Sequence, residues 1–132
     1  MGDRHDYVAL EWVKGEIAET LRQAALHLES MAIDEEQTPL ALAQCLACIH
    51  QVHGSLQMVE FYGAALLAEE MEQLTQALQH NRVSHRDEAI HLLLQALAQL
   101  LVYLERVQGA RRDLPLVVLP LINDLRRKLN HS

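Results

Sequence analysis

The sequence predicts an all-α fold: an up-down-up-down four-helix bundle with an additional C-terminal helix, forming one domain over residues 1–132. Three observations lead there. Apolar residues recur at three- and four-residue steps along almost the whole chain, the period of a helix with one buried face. Only five Gly and three Pro interrupt the 132 residues, too few for the turns of a β-sandwich or barrel. Half of the residues are hydrophobic but only 4% are aromatic, so the core is built largely from aliphatic side chains. A chain of this length suits a single core.

Five helices follow from the pattern. The first covers residues 6–31, with Leu10, Val13, Ile17, Leu21, Ala24, Leu28 and Met31 on one face. Asp34 to Gln37 form a polar loop. Thr38 is placed as an N-cap and Pro39 at the first helical position, where its fixed φ is favourable. The second helix spans 39–62, and Gly63 is expected to take the left-handed conformation that ends it. The third covers 64–80 on a Leu67, Met71, Leu74, Leu78 face. Ser84 and Asp87 resemble a capping box opening a fourth helix over 85–109, striped by Ile90, Leu93, Leu97, Leu100, Leu104 and Val107. A break at Arg111 to Asp113 precedes the fifth helix, 115–129, which carries Val118, Leu121, Ile122, Leu125 and Leu129. Short connections between long amphipathic helices make sequence neighbours antiparallel.

Composition excludes several functions. A net charge of −7 argues against general nucleic-acid binding, which needs surplus Lys and Arg. Met1 to Tyr7 carry no apolar run of a secretory signal, and the uninterrupted apolar stretches are too short to span a membrane. Cys45 and Cys48 suit reduced thiols in the cytosol, so a cytoplasmic location is expected. There is no phosphate-cradling Gly-rich loop and no nucleophile–base–acid set, so no catalytic core and no cofactor are expected in this chain. Charge is split along the sequence. Residues 1–81 hold thirteen acids and three bases, net −10, while 82–132 hold five acids and eight bases, net +3. Pairing between the hairpins accounts for this, the alternative being that Arg126-Arg127-Lys128 is a surface leading into another domain. Glu69, Glu70 and Glu72 read as a solvated helix face, and His27, His80, His85 and His91 as surface or boundary residues. Met58, Phe61 and Tyr62 read as end-of-bundle packing.

The second helix is unusual. From Pro39 to Val59 it contains no Asp, Glu, Lys or Arg, yet its Gln, Ser and His residues make it too polar for lipid. Its core stripe is Leu42, Cys45, Ile49, Val52, Leu56 and Val59. At about 100° per residue, His50 falls roughly 120° and His53 roughly 60° from the stripe centre, on one flank. Gly54 lies nearly opposite the core, with Ala43 and Ala47. A glycine there costs about 1 kcal/mol relative to Ala and gains nothing unless another molecule must come close. Cys45, Cys48, His50 and His53 have metal-ligand chemistry, but Cys48 and His50 project roughly 160° apart, so no metal site is expected. A neutral imidazole approached by a partner over small uncharged residues suits phosphoryl transfer, in which positioning and charge compensation dominate. His53, one turn on, could pair with phosphoryl oxygens when protonated.

These residues resemble a known family. His50-Gln51-Val52-His53-Gly54-Ser55 is similar to the His-x-x-Lys-Gly-Ser motif of histidine phosphotransfer (Hpt) domains, helical bundles whose histidine is transiently phosphorylated. Longer strings are similar to the N-terminal Hpt-like domain of chemotaxis-type hybrid histidine kinases that govern type IV pili and twitching motility (ChpA/PilL type). They are Tyr7 to Lys14, His50 to Leu74, and Arg111-Arg112-Asp113-Leu114-Pro115 with Val117 to Pro120. The chain is also similar to a related pilus regulator that lacks the phosphorylatable histidine. The resemblance implies His50 as phosphoacceptor, His53 assisting the phosphate, and Ala47, Gln51, Gly54 and Gln57 as partner-docking positions. Implied partners are a response-regulator receiver domain or a histidine kinase core, and a pilus-pole scaffold protein in the alternative reading, a degenerate docking domain that carries no phosphate. The chain departs from the family pattern where His53 replaces Lys and where Glu60 replaces a second glycine.

Overall fold

A computed structural model describes residues 3–106 and 115–130, with side chains described over 10–106 and 121–129. Its elements are α1 (Asp3–Ile33), a 3-10 turn (Glu35–Gln37), α2 (Thr38–Met58), α3 (Tyr62–Gln79), α4 (Arg86–Arg106) and α5 (Pro115–Asn130). The fold is all-α, with no strand among the described residues. The expected break at Arg111 to Asp113, positions 107–109 of the fourth helix and the side chain of Val118 lie outside them.

The helices pack as a ring. α1 lies between α2 and α4, α3 packs against α2, and α5 lies against α3 and α4, meeting α3 more broadly than α4 does. The core is layered as the apolar periods require. Leu21 and Leu28 of α1 meet Cys45, Ile49 and Leu56 of α2, Leu67, Met71 and Leu74 of α3, and Leu93, Leu100 and Leu104 of α4. Ile122 and Leu125 bring α5 into the same cluster. By length and mean hydropathy α4 could cross a bilayer, contrary to the reading from uninterrupted apolar runs. In this fold its Leu93, Leu97, Leu100 and Leu104 are buried in the bundle.

Three helix ends differ from expectation. Thr38 is already helical (φ −55°, ψ −48°), so Gln37 holds the N-cap position and no side chain caps α2. Asp34 caps the 3-10 turn instead, accepting the Glu36 N–H at 3.1 Å. At the start of α4, the Ala89 N–H donates to the His85 carbonyl at 3.0 Å, which puts His85 rather than Ser84 at the N-cap position. Gly63 does not end α2: it is buried inside α3, and Glu60 takes the left-handed conformation at φ 65°. There the Phe61 N–H donates to the Leu56 carbonyl at 2.9 Å and the Glu60 N–H to the Gln57 carbonyl at 3.1 Å. That pair of bonds is a Schellman motif, and Phe61 and Leu56, both fully buried, supply its apolar contact. The α3 end repeats it with Asn81 at φ 55°.

The basic C-terminus is used internally. Arg126 Nε donates to Glu70 Oε1 at 2.7 Å, and Lys128 Nζ to Glu88 Oε2 at 2.5 Å. The Lys128 hydrogen bond and charge hold the Glu88 carboxyl below the usual carboxylate range. The split in charge thus joins α5 to α3 and α4.

Candidate functional site

The stripe that anchors α2 is Ala41, Leu42, Cys45, Ile49, Val52 and Leu56. Burial pushes the Cys45 thiol up to about 12, with Cys48 adding to the shift, and it raises Cys48 as well, so neither is poised as a thiolate. One residue past Ile49, His50 turns out of the core and its side chain is 74% exposed. His53 lies one turn along on the same flank, beside α3, and is only 18% exposed. Ala47, Gln51, Gly54 and Gln57 are all exposed. A Cβ built on Gly54 would meet nothing within 4 Å, so the packing of this chain does not require a glycine there.

The uncharged helix is met by a charge from its neighbour. Glu72 of α3 places Oε2 3.0 Å from His50 Nδ1 and Oε1 3.2 Å from His53 Nδ1. One carboxylate therefore spans both imidazoles. An ionised carboxylate only accepts hydrogen bonds, so each ring must present Nδ1–H to it. For neutral rings, that assigns the tautomer of both from the hydrogen bond. It leaves His50 Nε2 with its lone pair, on a ring open to solvent. His53 differs: its Nε2 is sealed from solvent and has no hydrogen-bond partner among the described residues. Of its two nitrogens, one is engaged by Glu72 and the other is covered, so in this geometry neither is presented to an incoming phosphoryl group.

Glu72 is the residue that sequence reasoning missed. The Glu69–Glu72 segment is not a uniformly solvated face. Glu70 and Glu72 project about 160° apart on α3, which turns one toward α5 and the other toward α2. The Glu70 side chain is 8% exposed and paired to Arg126, and Glu72 is 17% exposed and paired to the imidazoles. The end-of-bundle reading holds for Phe61 but not for its neighbours. Met58 is 85% exposed and Tyr62 60% exposed, because the Schellman turn directs Phe61 inward and those two outward. His27 is half-buried, and His80, His85 and His91 are exposed. The departure at Glu60 is a matter of backbone: the position demands a positive φ, which glycine adopts most readily.

A helical bundle with an exposed histidine on its second helix, oriented by a carboxylate from the third, has the form of a phosphotransfer-type signalling domain. The chain belongs to the Hpt domain family, which it matches over residues 8–109. It is also 36% identical over 118 residues to Scaffold protein FimL of Pseudomonas aeruginosa, across 89% of this chain and 21% of FimL. The chain thus spans about a fifth of that relative's length. No solved structure matches it. Helix α5 lies beyond the family match.

Proposed function

We propose that this chain is a histidine phosphotransfer module of a bacterial two-component, chemosensory-type phosphorelay that controls type IV pilus twitching motility, with His50 as phosphoacceptor. The observation that carries the reading is the exposed His50 ring with Nδ1 held by Glu72, which leaves Nε2 as a nucleophile facing solvent. The Nε2 lone pair attacks the phosphorus of an aspartyl phosphate on a receiver domain, or of the ATP γ-phosphate held by a kinase core. An N–P bond forms and the P–O bond breaks. The electron pair leaves on the aspartate carboxylate or on ADP. The ring keeps its Nδ1 proton and gains positive charge, which the Glu72 carboxylate at 3.0 Å opposes. Running the step backwards returns the phosphoryl group. Ala47, Gln51, Gly54 and Gln57 form the uncharged surface on which the partner seats, and the cytoplasm supplies such partners.

A second reading is supported by the likeness to FimL, whose name describes a scaffold. In it, the same flank docks a protein partner, such as a pilus-pole scaffold, and no phosphate is carried. One experiment separates the two. The chain is incubated with the cognate kinase core and labelled ATP, and acid-labile, base-stable phosphate is measured. Transfer predicts label on the wild type and none on His50→Gln. An unlabelled wild type removes transfer and leaves docking.

A further inference from the structure

We propose that the cleft at the end of the bundle opposite the α2–α3 turn docks a basic amphipathic helix of a partner protein, at a surface separate from His50. The cleft has a volume of about 900 Å³ and lies between the last turns of α1 and the first turns of α4, with the start of α2 and the turn at Asn81 also on its walls. Its floor is aliphatic. Leu28 and Met31 of α1 are buried, but Ile90 and Leu94, one turn apart on α4, are only half-buried where they line it. Two helices that flank a shared aliphatic floor make a groove, and a helix with apolar side chains at three- and four-residue steps is an element that fills one.

The rim sets the sign of the partner. Glu29, Glu35 and Asp87 line the cleft, are exposed, and have no ion-pair partner among the described residues. Arg86 opposes them, but its guanidinium is committed to the Leu78 carbonyl at 2.9 Å and to Asn81 Oδ1 at 3.0 Å. With His91 neutral, the lining carries three carboxylates and one guanidinium. The last turn of α1 has no basic residue to meet its carbonyls, which adds to the negative potential. A segment with Lys and Arg beside its apolar stripe gains from this rim, and an acidic one is repelled. A second copy does not supply that segment. The basic turn of α5 is already used within its own chain, Arg126 on Glu70, Arg127 on Asp124 and Lys128 on Glu88. A different protein is therefore the occupant. His50 lies twelve residues along α2 from Thr38, about 18 Å at a rise of about 1.5 Å per residue, so the proposal stands under either reading of the His50 flank.

The test is the binding of a synthetic amidated leucine–lysine peptide, with its leucines at helical spacing, to the 132-residue chain. On titration, methyl ¹H–¹³C signals should shift at Leu28, Met31, Ile90 and Leu94, and not at Met58 and Leu66, which are exposed near the α2–α3 turn. A leucine–glutamate peptide of the same pattern should bind more weakly by about tenfold or more. Glu29→Gln and Glu35→Gln together should weaken leucine–lysine binding by about three- to tenfold and flatten its salt dependence. Glu16→Gln, exposed on α1 away from the cleft, should leave both unchanged. Ala32→Trp fills the cleft from an exposed position and should weaken binding by more than about tenfold. Should the tryptophan lower the urea midpoint, the paired glutamines, both at exposed positions, give the reading. Shifts centred on Met58 and Leu66, equal binding of the two peptides, or undiminished binding by the folded Ala32→Trp variant would overturn the proposal. So would a chain that self-associates without peptide and becomes monomeric in Ala32→Trp, which assigns the cleft to a second copy.

Discussion

Helix α3 carries two acids two residues apart, and their surroundings differ in kind. Glu70 faces α5 and is met by the guanidinium of Arg126 at 2.7 Å. Glu72 faces α2 and is met by two imidazoles at 3.0 and 3.2 Å. A guanidinium is charged at every accessible pH and presents a fixed fork of donors, so Arg126 braces two helices as a cation with a single charge state. An imidazole has two tautomers and two charge states, and the one facing Glu72 selects among them. The same side chain on the same helix is thus a strut on one flank and an orienting group on the other. What separates them is the titratability of the partner, not the burial of the acid.

The largest effect should come from the strut side. Leu125→Ala removes a fully buried contact of α5 and should cost about 3 kcal/mol in a urea titration. A loss below about 0.5 kcal/mol, the range of ordinary surface substitutions, would mean that α5 is not part of the cooperative unit. Arg126→Ala leaves Glu70 almost buried without its cation and should cost about 2 kcal/mol, while the ring-nitrogen spectrum of His50 stays as in the wild type.

Glu72→Gln should invert that result. Its stability should change by less than about 1 kcal/mol, since Glu72 bridges partly exposed groups. Phosphate uptake on His50 should fall by about tenfold or more, because the neutral amide no longer opposes the ring charge. Glutamine can accept from one ring through its oxygen, but it presents N–H to the other and drives that ring to the opposite tautomer. Equal behaviour of Arg126→Ala and Glu72→Gln in both assays would erase the distinction between the flanks.

The helices and the core stripe of α2 are legible in the sequence because burial follows a period that can be counted along one segment. Leu42, Cys45, Ile49, Val52 and Leu56 fall where 100° steps put them, and so do His50 and Gly54. Glu72 was not legible. Its partners lie 19 and 22 residues away, and which α3 residue opposes His50 depends on the register of a hairpin. That register is set by the turn at Glu60, where a non-glycine residue occupies a left-handed site that sequence reasoning assigns to Gly63. Thr38 failed as a cap for a related reason: the 3-10 turn before it already supplies helical geometry. Glu60→Gly should therefore stabilise the chain by about 1 kcal/mol in the same titration, by relieving the positive φ. A loss of stability would show that the Glu60 side chain contributes more than its backbone costs.

The smallest effects sharpen the comparison at the surface, where α1 and α2 each carry an exposed helical glycine. A Cβ at Gly15 or Gly54 would meet nothing within 4 Å, so the folded chain has no packing reason for either. Alanine at each should raise stability by at most about 1 kcal/mol, and by similar amounts. Stability thus does not tell the two apart, but a partner does. Gly54 is one turn from the exposed ring of His50, on the face with Ala47, whereas Gly15 lies on a different helix. If a receiver or kinase core seats on the α2 face, Gly54→Leu should abolish the binding measured by titration calorimetry, while Gly15→Leu leaves it intact. Equal binding by both leucine variants would remove the α2 face as the contact surface, and equal loss would place the partner across α1 and α2 together. Both results are interpretable because each glycine is on the exposed face of its helix, where a Cβ meets nothing within 4 Å, and an unchanged urea midpoint in each leucine variant shows that the core is intact.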